Sequence, residues 1–378
     1  MSLFFITFYL LYSGLHCYIF LKARQAFHFR WTLGIPICVV FLVMILAPVI
    51  VRLLEKEGHE SLARFTAYTG YSWLGLLFLF FSISISIDFL RLLMLASGLL
   101  LKMDFSPVIS TYRFFFLAAF ACSVLIACYG SREANNIHLE TLRIYTHKIP
   151  KEIKKFTIVQ ISDVHLGLIV REKRLKKIGE LVEKAHPDIL VSTGDLVDGD
   201  LGKVNGLVDI LKNIEPPFGK FAITGNHEFY AGIENSLDFI KKAGFTILRG
   251  EGITINGLIN IAGIDDIAGK PFNYREVSER ALLSSLPREL FTVLLKHRPV
   301  INEDALGFFD LQLSGHTHKG QIYPFRYLTG LFFPLYTGYH ELPNKSHLYV
   351  SKGSGTWGPP IRFLASPEVT VIELVYTP

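Results

Sequence analysis

No cysteine occurs between residue 129 and Pro378. That stretch can form no disulfide and offers no thiolate to a metal. The four cysteines, Cys17, Cys38, Cys122 and Cys128, all lie within the first 131 residues. Charge is missing too, but in blocks: Asp, Glu, Lys and Arg are absent from residues 2 to 21, 31 to 51, 65 to 87 and 114 to 130. A bilayer core about 30 Å thick is crossed by roughly 20 apolar helical residues. The blocks therefore predict four transmembrane helices, at 2–21, 31–51, 66–87 and 113–130, in a membrane region covering 1–131. The competing reading, four buried helices of a soluble domain, would call for a polar stripe that these segments lack. No basic start and no small-residue cleavage site accompany the first segment, which reads against a removed signal peptide. The net charge of +5 gives no reason to expect a nucleic-acid partner and suits a protein beside an anionic bilayer equally well. Internal repeats and low-complexity tracts are also absent.

The third span has an untidy end. Asp88 and Arg91 are followed by LLMLASGLLL at 92–101, too short to cross a bilayer alone and expected to prolong the third helix or lie in the interface. Asp88 and Arg91 are three apart and can pair on one helix face, either as an ordinary ion pair at a span end or as a functional intramembrane pair. Pro36 and Pro48 are tolerable where neighbouring helices satisfy the freed backbone. Lys22, Arg24 and Arg30 in the first loop favour a cytoplasmic loop, which places the N-terminus and, after four spans, the soluble part outside the cell membrane. Arg52, Lys56 and Arg64 in the second loop do not help that choice.

Beyond Arg132, charged residues become frequent and strands alternate with amphipathic helices, which indicates an α/β domain. Expected strands include KFTIVQISD (155–163), DILVSTGD (188–195), GKFAITGNHE (219–228), ELFTVLLKH (289–297) and FDLQLSGHTH (309–318). Helices are expected over 172–185, near 203–213 and near 234–243. Each strong strand ends in polar residues, and ligands of open α/β sheets bind beyond the carboxyl ends of strands, so these ends are expected to converge.

Five polar clusters result: SDVHLG with Asp163 and His165, TGDLVD with Asp195 and Asp198, TGNHEFY with Asn226 and His227, LKHRP with His297, and SGHTHKGQ with His316 and His318. In an extended segment, residues two apart project to one side, so Asp-x-His and His-x-His each offer two donors on one face. Oxygen and nitrogen donors alone suit Mn, Fe or Zn. Asp163, His165, Asp195, Asn226, His297, His316 and His318 exceed the roughly four ligands of one tetrahedral ion and suit two ions sharing a carboxylate. A single Asp or His at a strand end is usually a cap or surface residue; five such clusters together are not.

The ordered set Asp-x-His, Gly-Asp-x-x-Asp, Gly-Asn-His-Glu, a lone His and Gly-His-x-His resembles the calcineurin-like metallophosphoesterase superfamily over residues 150–375. SKGSGTWGPPIRF (351–363) resembles a bacterial, membrane-associated subgroup of it. The resemblance implies a four-layer sandwich, two central sheets flanked by helices, and a dinuclear centre of two divalent ions. It implies that Asp163, His165, Asp195 and His318 hold the first ion and that Asp195 bridges to a second held by Asn226, His297 and His316. By the same resemblance, His227 contacts the phosphate or protonates the leaving oxygen, a metal-bound hydroxide attacks phosphorus, and Asp198 and Glu228 orient ligands. The compact His-x-His-x-Asp-His run of metallo-β-lactamase-like hydrolases is absent, since KGQ follows His318.

Substrate signals are fewer. REKRLKKIGE (171–180) is either a solvated helix face or an attractor of phosphates, and YPFRYLTGLFFPLYTGYH (323–340) is either packing or an apolar lip near the bilayer. Arg362 is a candidate phosphate contact or a structural arginine. The expectation is a multi-pass membrane phosphoesterase acting on phosphomono- or diesters of small molecules or lipids, lipid-linked phosphate or pyrophosphate included. The rival is a membrane sensor or transport component whose phosphoesterase domain binds ligand without turnover.

Overall fold

The computed structural model of the chain describes residues 2–199, 205–272 and 274–378. The chain divides into two compact units, one of residues 1–132 with 358–361 and one of residues 133–357 with 362–378.

The first unit is helical: α1 (Ser2–Phe27), α2 (Trp31–Lys56), α3 (Glu60–Leu101), α4 (Ser106–Ile109) and α5 (Tyr112–Ala134). Four of these, α1, α2, α3 and α5, are long and apolar enough to cross a membrane. Their outward side chains remain apolar, with Leu10, Val39, Phe65 and Leu125 all exposed, as expected where lipid replaces water. Small residues let α2 and α3 approach closely: Ala63, Ala67 and Gly70 share a face, and a Cβ at Gly70 would meet that of Ala47. The apolar segment at 92–101 prolongs α3, which at about 1.5 Å per residue is about 63 Å long, well over one bilayer core.

The second unit begins with β1 (His138–Thr146), β2 (Lys155–Ile161), β3 (Leu166–Gly167), α6 (Glu172–Lys184), β4 (Ile189–Ser192), β5 (Val197–Asp198), α7 (Asn205–Lys212), β6 (Lys220–Ala222), α8 (Asn226–Ala231), α9 (Ile233–Lys242) and β7 (Thr246–Ile247). It continues with β8 (Glu251–Ile255), β9 (Ile259–Gly263), α10 (Glu279–Ser284), β10 (Phe291–Leu295), β11 (Leu311–Ser314), α11 (Arg326–Phe332), β12 (Gly338–Glu341), β13 (His347–Val350) and β14 (Glu368–Tyr376). Two six-stranded mixed sheets form, in the orders β1-β14-β2-β4-β6-β7 and β12-β13-β11-β10-β9-β8, and β3 pairs with β5 apart from them.

The period-two pattern of the strands builds four layers. Phe156, Ile158, Ile189 and Val191 of the first sheet pack against Ile261, Val293, Leu295 and Leu313 of the second. The alternate residues Val159, Ile161 and Leu190 turn outward to α6, α7 and α9, meeting Leu175, Ile178, Val182, Leu211 and Ile240. On the far side, Ala262 and Leu294 pack against Leu283 of α10 with Ala305 and Phe309. Helix α6 is amphipathic for this reason, burying Leu175, Ile178, Gly179 and Val182 at helical spacing.

Most strands are shorter than expected, ending two to four residues before the functional motifs. The stretch expected as one strand over 219–228 divides into β6 and α8, with Asn226 opening the helix. The apolar lip segment contains α11, which its Pro and Gly content disguised.

Candidate metal centre

All five clusters meet at the carboxyl ends of strands from both sheets. Three donor groups form: Asp163, His165 and His318; Asp195, His297 and His316; and His165, Asp195 and His227, each with ligand atoms within 4.8 Å of one another. The first joins the loops after β2 and β11, and the second joins those after β4, β10 and β11. Asp195 Oδ2 lies between groups, 3.2 Å from His297 Nε2 and 3.8 Å from His165 Nε2. Asn226 Oδ1 lies 3.2 Å from His297 Nε2, and His316 Nδ1 lies 3.1 Å from the same nitrogen. The seven expected donors are thus in one place.

The local reason for that convergence differs from the expected one. Asp163, His165, Asp195, His316 and His318 all have positive φ, between 49° and 71°, so the paired residues do not lie in extended strand. Left-handed backbone costs a non-glycine residue about 1–3 kcal/mol, and such residues gather at functional sites. Close approach of the loops completes the arrangement. A Cβ on Gly194, whose φ is +92°, would stand 2.6 Å from the Gly225 nitrogen and 2.8 Å from His297 Nδ1, so only glycine fits.

A buried carboxylate holds the loops. Glu228 accepts backbone N–H groups from Gly225 at 2.7 Å, Asp195 at 3.0 Å, Leu196 at 2.7 Å and Val197 at 3.1 Å. Its effect on the donor Asp195 therefore runs through the main chain. Asp163 accepts the His316 backbone N–H at 2.9 Å, joining the first and last motifs. His297 Nδ1 donates to the Thr193 carbonyl at 2.8 Å, which fixes the ring's orientation and turns Nε2 to the other donors. His227 Nδ1 pairs with Asp198 at 2.7 Å, and its backbone N–H donates to Asp195 Oδ1 at 2.8 Å.

The donor set fits divalent cations. His165 is buried, its Nδ1 has no hydrogen-bond partner, and its Nε2 faces His318 Nε2 at 3.0 Å. Two nitrogens about 2.0–2.1 Å from one ion, roughly at right angles, stand about that far apart. Burial, reinforced by the His227 charge, pushes His165 down to about 4, and burial with neighbouring cations holds His316 and His318 well below the usual range, so all three are neutral ligands at pH 7. His297 and His227 are opposed by burial, yet Asp195 raises the first to about 10 and Asp198 with Asp195 raises the second to about 9. Among protein groups alone the carboxylates gather protons onto these two rings; bound cations would supply the same charge without protons.

Arg362, left open between a phosphate contact and a structural arginine, has the surroundings of a structural one. It is fully buried, and its guanidinium donates to the carbonyls of Lys352, Gly355, Ala365 and His318. It also donates to His318 Nδ1 at 2.9 Å, which holds that ring with Nε2 facing His165. Aromatic rings stand against two of the histidines, and Tyr230 and Trp357 among them had no role assigned from the sequence. His227 has Tyr230 at 5.7 Å and Trp357 at 5.9 Å between ring centroids, and His316 has Phe333 at 5.2 Å. Tyr230 closes the TGNHEFY motif and Trp357 lies within SKGSGTWGPPIRF, the one signal available for them.

The comparisons agree with this geometry. Residues 156–320 match the family model of the calcineurin-like phosphoesterases. An uncharacterized metallophosphoesterase of Aquifex aeolicus is 42% identical over 256 residues, covering 67% of this chain and 97% of its own length. Another, of Campylobacter jejuni, is 31% identical over 344 residues, covering 89% and 88%. A Danio rerio transmembrane protein with metallophosphoesterase domain is 29% identical over 269 residues, covering 68% of this chain and 62% of its own.

Proposed function

Because the chain belongs to the calcineurin-like phosphoesterase family, we propose that it is a membrane-anchored hydrolase of phosphate esters carried by amphiphilic molecules. The family implies divalent ions, and the His and Asp groups can bind them. In this reading Asp163, His165, Asp195 and His318 hold one ion, and Asn226, His297 and His316 hold the other with Asp195 shared. The pair of ions, when bound, supplies charge against the phosphate oxygens and an activated water. His227 uses Nδ1 against Asp198, which leaves Nε2 to contact a phosphate oxygen and protonate the departing alkoxide. Asp198 keeps that ring in one tautomer, and Glu228 keeps the Asp195 loop in place.

The observation that carries the substrate class is α11. Leu331 is 79% exposed and Phe332 is 74% exposed, with Phe325, Tyr327 and Leu328 also open to solvent. A greasy exposed helix suits contact with an acyl or prenyl chain rather than water. It adjoins the donors directly: Phe333 lies against His316, and the Thr317 hydroxyl donates to the Tyr336 carbonyl at 2.7 Å. Basic residues in the first loop favour an extracytoplasmic catalytic domain, which labelling of an engineered surface cysteine in intact cells would test.

The test is hydrolysis by the purified full chain of a chromogenic aryl phosphate, its diester and a lipid phosphate in mixed micelles, with Mn²⁺ or with a chelator. Metal-dependent turnover, fastest on the lipid phosphate, is expected. Failure to turn over any of the three with metal bound would leave the ligand-binding sensor in its place.

A further inference from the structure

A second polar constellation lies in the helical unit, where α1 ends and α5 begins. Asp88 of α3 accepts from Lys22 and, at 2.7 Å, from the Tyr18 hydroxyl, both on α1. Arg91, one turn further along α3, stands 3.8 Å from the same carboxylate and donates to the Ile109 carbonyl. Its guanidinium lies 4.3 Å from the Tyr112 ring centroid, and its side chain is only 11% exposed. Two cations thus share one carboxylate, leaving one positive charge in excess among membrane helices. An uncompensated charge there is costly, and such groups are kept near a partner or a pathway.

Two further observations point to what supplies the missing charge. Arg91 Nε is buried and has no hydrogen-bond partner. It borders a space of about 20 Å³ shared with Lys22, Gln25 and Ser84, enough for one water-sized group. On the other side of Lys22 an open cavity of about 690 Å³ is lined by Arg24, Gln25 and His28 together with Leu21 and Phe29. That volume is within the range of small-molecule sites, and the lining is cationic and apolar at once. An oxyanion bearing a hydrocarbon tail matches both halves. We propose that Lys22 and Arg91, with the cavity beside them, bind the phosphate head group of an anionic membrane lipid at a site separate from the cluster of histidines.

The lipid is favoured over free phosphate because the cavity opens beside exposed apolar side chains of α1, Leu21 being 59% exposed. The proposal does not depend on the hydrolytic reading, and its test needs no turnover. The full chain, in nanodiscs of phosphatidylcholine doped with phosphatidylglycerol, is released for native mass spectrometry and its retained lipids are counted. Retention of phosphatidylglycerol about 10-fold above its share is expected from charge-assisted hydrogen bonds. Arg91→Gln and Lys22→Gln are expected to abolish the preference, whereas Asp88→Asn, which removes the competing carboxylate, is expected to strengthen it. A network that only staples α1 to α3 predicts no preference in the wild type and no gain in Asp88→Asn, and either result overturns the proposal. Displacement of the lipid by millimolar inorganic phosphate would overturn the lipid assignment; persistence of the lipid supports it.

Discussion

His165 follows a strand of one sheet and His318 follows a strand of the other, yet their Nε2 atoms face each other at 3.0 Å. Neither nitrogen is turned to water. Both rings are buried and neutral at pH 7, so each brings one donor and one acceptor nitrogen, and the Nε2 atoms can share one proton between them or turn their lone pairs to a cation.

Metal removal is therefore expected to loosen the domain. Dialysis against a chelator should lower the unfolding temperature of the full chain in detergent, and added Mn²⁺ or Zn²⁺ should restore it. Each ion present at 100 times its Kd stabilises by about 2.7 kcal/mol, which in a domain of 150–250 residues corresponds to roughly 5–10 °C. An unchanged melting curve would show that the donors hold no ion.

Asp195 touches both donor groups, so Asp195→Asn should disturb both. Loss of metal from two ions per chain to one or none, by elemental analysis, is expected together with a fall in kcat of at least about 100-fold. Full metal content with full activity would remove Asp195 from the bridging role.

His227 is expected to act on the leaving group rather than on the ions. His227→Gln should lower kcat by about 10²–10⁴-fold while metal content stays near that of the wild type. Asp198→Asn should produce a milder loss of about 10–100-fold through the orientation of the ring. The dependence on leaving-group pKa separates the two roles: aryl phosphates with good leaving groups should be affected least by His227→Gln.

Gly194→Ala places a Cβ where the Gly225 nitrogen and His297 already stand, at a φ that L-residues avoid. A cost of about 1–3 kcal/mol is expected from the conformation alone, visible as a lowered denaturation midpoint. His297 should shift with it, so metal affinity should fall as well. The same substitution at Gly206, where a Cβ meets nothing within 4 Å, is the control.

Leu331→Ser with Phe332→Ser tests the exposed helix beside the site. Each side chain contributes about 1.5–3 kcal/mol when fully buried against an apolar partner, so the apparent affinity for a lipid phosphate should weaken by about tenfold or more. That loss should appear as a raised KM on the lipid phosphate, with the rate on a soluble aryl phosphate unchanged. Equal effects on both substrates would deny α11 a role in recognition.

The donors themselves were legible because Asp, His and Asn have no packing reason to cluster after apolar strands, and five such clusters in order leave little else to read. An α/β domain followed from strands alternating with helices, whereas the four-layer arrangement of two sheets came from the family resemblance alone. The backbone at the donors was not legible: nothing in Asp163 or His318 advertises a left-handed conformation, which arises from contacts between loops far apart in sequence. Helix α11 was hidden by Pro324 and Gly330 and by an apolar character on all sides. Arg362 stayed open between a phosphate contact and a structural arginine because an arginine near a glycine-rich segment serves either purpose, and only its complete burial among carbonyl groups speaks for the second.

Each principal donor group draws on both sheets: Asp163 and Asp195 from one, His297, His316 and His318 from the other. A fragment containing either half of the sandwich would carry donors but no complete set. Ions held there would act as rivets through the two sheets, and a volume change at Ile158 or Val293 deep in the interlayer would then register as altered metal affinity without touching a ligand.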